Sequence, residues 1–273
     1  MPTTANGSCY FNGASYLSAA DNVNLQPGTS DFTVEAWVYL SDYSSINVLA
    51  SKADASETSG AGSWYFGTNN SNGRMTFGVG GTDYQTTTGS IVPLGEWCHL
   101  AYVRSGTSWT TWLNGVLGAT TTLSTTLSGA GSFRIGRGRG TSTNYFAGYI
   151  SNLRIVIGTA LYSSTFTPST TLTKITNTQL LTCQYLTSDN SISDASDNAF
   201  TFTNTNVGTS FMSQLNSMGV SNVAINALDL SMASNTAITD FYTPNADKRL
   251  YLTTSDALVD TSVVNPELAY ELY

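Results

Sequence analysis

Glu96-Trp-Cys-His-Leu-Ala-Tyr-Val-Arg-Ser-Gly106, then Trp112-Leu-Asn-Gly115, then Tyr145-Phe-Ala-Gly-Tyr-Ile-Ser-Asn-Leu-Arg-Ile155 decide how this chain is read. The first two segments predict strands joined by a tight hairpin over residues 109–113 and 116–120. Asn114-Gly115 is the pair that best accepts the positive φ angles of a type I′ turn. The third segment predicts a long return strand over 145–157. Its second half, Leu153-Arg-Ile-Val-Ile157, is nearly all apolar, as in a central strand. Gly148 inside it marks a bulge or a close backbone approach.

Working outward, residues 32–40 alternate. Phe32, Val34, Ala36, Val38 and Leu40 share one face; Thr33, Glu35, Trp37 and Tyr39 share the other. Shorter strand signals fall at 8–16, 47–51, 64–67, 75–79, 133–136, 180–185 and 199–203. Asn69-Asn-Ser-Asn-Gly73 reads as a hairpin loop, and residues 52–62 as a Ser/Gly/Ala loop long enough to carry function. Eleven to fourteen strands before about residue 208, with no amphipathic helix among them, predict an all-β, two-sheet antiparallel sandwich. Trp37 and Trp97 suit its core, at or between the sheets. His99 shares a strand face with Trp97, which predicts a core histidine donating to a backbone carbonyl.

Only 10% of the 273 residues are charged, against about 25% in ordinary domains. The net charge is −8, which argues against a nucleic-acid partner. Residues 1–208 hold 11 acidic and 8 basic side chains; residues 209–273 hold 7 and 2. The C-terminal stretch is therefore read as a separate acidic module of mixed structure. In it, 211–219 reads as a short helix, 223–232 as helix or strand, and 248–252 as a strand. It either packs on its own domain or docks on a neighbouring subunit. No apolar run approaches membrane-spanning length, and the opening Met1-Pro-Thr-Thr-Ala-Asn6 does not read as a signal peptide. Three cysteines, Cys9, Cys98 and Cys183, with no C-x-x-C spacing, predict buried free thiols rather than a zinc site.

Seven landmarks in order resemble the laminin-G-like, concanavalin A-like lectin/glucanase jelly rolls. They are Phe11-Asn-Gly-Ala-Ser-Tyr-Leu17, Phe32-Thr-Val-Glu-Ala-Trp-Val38, Ser51-Lys52, Trp97-Cys-His99 with Arg104, Trp112-Leu-Asn-Gly115, Ile135-Gly-Arg137, and Phe146-Ala-Gly-Tyr-Ile150 leading to Arg154. The resemblance implies a jelly roll over 1–208 that binds surfaces and sugars more often than it performs chemistry. Jelly rolls often set first and last strands side by side, so Cys9 and Cys183 are the pair to watch. Ile157-Gly-Thr-Ala-Leu-Tyr162, Phe166-Thr-Pro168 and Leu180-Leu-Thr-Cys183 resemble the variant found in marine bacteriophage virion proteins. That looser match implies a virion surface protein, of capsid-decoration or fibre-head type, assembled in the host cytoplasm. It would be anchored through residues 209–273 to other virion proteins and to copies of itself. The alternative is a carbohydrate-binding adhesin or receptor-binding module whose partners are cell-surface glycans.

Catalysis is not expected. Glycosidases set two carboxyl groups across the scissile bond, and the family's glucanases draw them from an acidic-x-acidic-x-acidic strand that is missing here. The single histidine lies on an apparent core strand. Relatives often hold Ca²⁺ at a Gly-x-Ile-Asp-Asp position, which here reads Gly148-Tyr-Ile-Ser-Asn152. Asp54, Glu57 and Asp83 lie in loops and could supply another calcium site; no other cofactor is expected. Sugar contact would use rings near loops and strand ends: Trp64, Tyr65, Tyr84, Trp109 and Tyr145. Arg134, Arg137 and Arg139, in a glycine-rich loop, predict salt contacts to an acidic neighbour. Tyr270 and Tyr273 are the aromatic ends of the docking module.

Overall fold

The computed structural model of the chain describes residues 7–69, 71–85, 90–140, 143–184, 192–210, 240–242 and 251–253. The chain forms two units, Met1–Ser213 and Gln214–Tyr273. The first unit is built of β1 (Ser8–Asn12), β2 (Tyr16–Ala19), β3 (Phe32–Leu40), β4 (Asn47–Lys52), β5 (Trp64–Thr68), β6 (Met75–Val79), β7 (Thr82–Gln85), β8 (Trp97–Ser105), β9 (Ser108–Leu113), β10 (Val116–Thr122), β11 (Phe133–Ile135), β12 (Ala147–Ile157), β13 (Thr178–Thr182), β14 (Thr203–Thr205) and β15 (Gly208–Ser210). One sheet runs β10-β9-β8-β3-β12-β1-β15, with β13 also paired to β12; the other runs β14-β2-β11-β4-β5-β6-β7. All named pairs are antiparallel, so the expected two-sheet sandwich is what forms.

Local chemistry accounts for the turns. Asn114 and Gly115 take φ of 51° and 79°, joining β9 to β10 as the sequence predicts. Within 8–16 a strand runs into a turn, β1 ending at Asn12 and β2 starting at Tyr16. Asn12 Oδ1 accepts from Ala14 N and Ser15 Oγ accepts from Asn12 N, which turns the chain at Gly13. Gly148 holds φ at 134°, where a Cβ would stand 1.9 Å from Tyr39 O. β12 and β3 can approach there only because that Cβ is missing.

The main core lies between the sheets. Phe32 of β3 touches Phe66 of β5 at 5.5 Å and Trp109 of β9 at 5.2 Å; Trp109 stacks on Phe77 of β6 at 4.9 Å. Aromatic rings thus bridge the layers, and burial of such side chains dominates stability. A second, smaller core lies on the outer face of the first sheet. There the segment 158–173 crosses as a strap, setting Tyr162 and Phe166 against Ala101, Val103 and Trp112. Trp37 is buried beneath it and donates from Nε1 to Ser169 O at 2.9 Å. Trp97 corrects the expectation of a core tryptophan. It sits on the same outer face beyond the strap, partly exposed, beside Tyr39 and Tyr149.

All three cysteines are free and buried. Cys9 and Cys183 do lie together: a hydrogen bond with Cys183, then burial, pushes the Cys9 thiol well above its ordinary pKa. Among the described residues no helix is long and apolar enough to cross a membrane. In the second unit β16 (Asp240–Tyr242) pairs antiparallel with β17 (Tyr251–Thr253). The helix expected at 211–219, the segment 223–232, Tyr270 and Tyr273 lie outside the described residues.

Candidate functional site

Alternation decides which side chains of the second sheet face outward. In β5, Trp64 and Phe66 enter the core, so Tyr65 points the other way. Its partner in register on β6 is Gly78. A Cβ on Gly78 would come within 2.1 Å of Tyr65 Cε1, so the missing side chain is the space in which the ring lies. Over that ring sits the Arg139 guanidinium, 4.9 Å from the centroid. Arg139 follows β11 in a loop bounded by Gly136 and Gly140, both at positive φ. A Cβ on Gly136 would strike the Phe11 ring at 2.3 Å, so the loop closes onto the sheet only with glycine there.

Tyr65, Asp83 and Arg139 border an open cleft of about 350 Å³, with Thr58, Gly81 and Asn144 among its other walls. Arg139 is 8% exposed and Tyr65 5%. Arg139 Nη1 donates to Ser63 Oγ at 3.3 Å, and its Nη2 stands 3.9 Å from Asp83 Oδ1. Burial lowers the Arg139 pKa against the opposing pull of Tyr65 and Asp83. The Tyr65 hydroxyl is buried, on the side of Thr76 and Asp83. Burial, with the Asp83 charge nearby, pushes this phenol far above its ordinary range, so it stays protonated and able to donate.

The structure brings together only part of the expected site. Tyr65 and Arg139 meet in the cleft. Tyr145 lies on the same loop, where the Arg137 guanidinium sits 5.5 Å from its ring and 4.8 Å from that of Tyr16. Trp64 and Trp109 are corrections: at 1% and 3% exposure they are core side chains, and neither ring can face a sugar. Tyr84 is half-buried and stacked on Phe77 at 5.1 Å. Two of the three predicted arginines find acidic partners within their own unit. Arg134 Nη2 pairs with Glu57 Oε2 at 2.7 Å, and Arg139 faces Asp83. Sequence reasoning missed Asp83 as a partner of Tyr65 and Arg139. Its signal was faint: a lone carboxylate opposite Gly78 in β7, a strand the pattern did not reveal.

The calcium position does not fit a cation. Ser151 Oγ donates to Gly7 O at 2.8 Å, while Asn152 Oδ1 accepts from Leu172 N and Gln184 Nε2. Both side chains are buried and spoken for. Asp54 accepts from Ser56 N and Thr58 within its own loop, and Glu57 is held by Ser132 and Arg134. Among the described residues no three acidic, histidine or cysteine side chains converge.

Under the strap lies a buried polar cluster. Glu35 Oε1 accepts from Arg154 Nε at 2.9 Å and Nη2 at 2.5 Å; Glu35 Oε2 accepts from Tyr162 Oη at 2.7 Å and His99 Nε2 at 3.1 Å. His99 therefore donates to a carboxylate, not to the carbonyl the sequence suggested. Burial opposes the charge on Glu35, but the His99 hydrogen bond and the Arg154 charge outweigh it and hold the carboxyl below its usual pKa. Glu35 and His99 are sealed from solvent, so the cluster joins strap to sheet and has no access to a substrate.

Residues 11–161, more than half of the chain, match the concanavalin A-like lectin/glucanases superfamily. The chain belongs to that superfamily. Solved structures with similar folds include a proposed carbohydrate-binding protein from Bacteroides ovatus, 16% identical, with a TM-score of 0.58 over 76% of this chain. The chain spans 60% of that protein's length. Domains LG4-5 of the mouse laminin α1 chain align at 17% identity and TM-score 0.42, over 59% of this chain and 45% of theirs. The CBM40 of a Ruminococcus gnavus sialidase, bound to α2,3 sialyllactose, aligns at 13% and 0.42, over 53% and 89%. No curated protein matches. At 16% identity the first of these likenesses speaks for the fold alone, and none of them bears on a virion.

Proposed function

We propose that this chain is a non-catalytic carbohydrate-binding module that receives sugar in the cleft between Tyr65, Asp83 and Arg139. One observation carries the reading. A small polar hollow on the outer face of a lectin-like sandwich sets a buried arginine, with donor capacity left over, opposite an exposed carboxylate. Sugar sites pair a concave shape with a few placed polar groups. Binding without hydrolysis is supported by the acids available: Glu35 is locked under the strap and Asp83 is the only carboxylate among the cleft-lining residues.

Affinity electrophoresis of the full chain through gels containing soluble polysaccharides tests the reading. Retardation by at least one polysaccharide is expected, with no release of reducing sugar. It should be lost in an Arg139→Leu variant whose circular dichroism is unchanged. Equal mobility in every gel overturns the proposal.

The virion placement implied by residues 157–183 is a separate proposal, with the acidic C-terminal unit as its anchor. It predicts that the full chain sediments with purified particles and that a chain ending at Ser213 does not. Full-length protein left in the supernatant overturns it.

A further inference from the structure

We infer that the cleft takes a neutral sugar by two adjacent hydroxyls, a statement that rests on the sugar-binding reading above and narrows it. Asp83 Oδ1 and Arg139 Nη2 stand 3.9 Å apart, beyond hydrogen-bond reach. The pair is held open. Arg139 cannot swing to close it freely, because its guanidinium lies over Tyr65 and donates to Ser63 Oγ. A carboxylate acceptor and a guanidinium donor separated in this way suit a vicinal diol. One hydroxyl donates to Asp83 while its neighbour accepts from Arg139.

Tyr65 positions the arginine. The ring lies across Gly78 and under Arg139, so it is not free to stack on a sugar, and its hydroxyl is buried on the side of Thr76 and Asp83. The contacts to sugar come from Asp83 and Arg139.

An acidic sugar fits badly. Its carboxylate would compete with Asp83 for Arg139 and place a second negative charge beside the first, and like charges at close range oppose binding. The other arginines cannot relieve that clash: Arg134 is paired with Glu57 and Arg137 lies over Tyr16 and Tyr145.

The test is an array probed with the full chain. It carries neutral oligosaccharides of glucose, galactose and mannose beside matching glycans ended by glucuronic or sialic acid. Signal on neutral glycans is expected. Asp83→Asn and Arg139→Leu should each weaken it roughly tenfold or more, the size of one or two lost hydrogen bonds. Asp83→Asn, at an exposed carboxylate, should leave the thermal midpoint unchanged, which separates a binding role from a structural one. Signal on acidic glycans alone overturns the diol inference and leaves sugar binding standing. Neutral binding indifferent to both substitutions places the sugar elsewhere and overturns it too. A blank array removes both the inference and the function beneath it.

Discussion

Glu35 shows what one side chain can hold in place. It is fully buried yet charged, and it accepts four hydrogen bonds from Arg154, His99 and Tyr162. Glu35→Gln would leave the Arg154 guanidinium buried beside a neutral amide. Removing one member of a buried pair costs about 3–5 kcal/mol, and a urea midpoint should fall accordingly. The sign of the pH effect follows from the lowered carboxyl pKa. Stability from this group is present above the unfolded-state carboxylate pKa and is lost as pH falls through the lower folded value. Midpoints measured from pH 6 downward should therefore drop less steeply in Glu35→Gln than in the native chain. The thiols give a second check at this scale. Cys9, Cys98 and Cys183 are all buried, so none should react with an aromatic disulfide reagent in the folded state, and all three should react in guanidinium.

At the scale of elements, the strap is the feature to probe. Phe166 stacks on Tyr162 at 3.5 Å and touches Trp112 and His99. Its backbone N–H donates to Gly115 O in the β9–β10 turn. Phe166→Ala should cost about 2 kcal/mol, the loss of one partly buried aromatic. It should also speed amide exchange in 158–173 more than in β5 or β6, because the main core is untouched. Alternation made the two faces of β3 legible, since Phe32 through Leu40 can only sort in twos. It could not say that the polar face would also be covered. Residues 158–173 carry no period that announces a strap, and the contacts of Glu35 with Arg154 and Tyr162 span 119 and 127 residues. The same limit applies to Trp64 and Tyr65. Their opposition was readable, but not which of them turned inward. Only Gly78, across the strand pair, tells where a ring has room.

For the whole molecule, the boundary between units has an energetic meaning. β15 pairs with β1 from Ser8–Ser210 to Tyr10–Gly208, and the first unit extends to Ser213. A chain ending at Ser213 should keep the melting midpoint of the jelly roll. One ending at Val207 exposes the β1 edge and should melt several degrees lower and aggregate sooner. Trp37, Trp64, Trp109 and Trp112 are buried, whereas Trp97 is partly exposed. Acrylamide should therefore quench a minor fraction of the emission, and Trp97→Phe should remove that fraction. The sandwich itself was legible because turn residues such as Asn114-Gly115 and the apolar run of β12 act locally. The cleft was not, because its walls come from β5, β7 and the loop after β11, which only the finished fold assembles.

A sandwich sealed on its back has one side left for change. Residues 58–59, 81 and 138–140 rim the hollow on the open sheet, and none sends a side chain into either core. They form an exchangeable cassette. Rewriting them should retarget the protein to new ligands while the strapped half goes on folding as before.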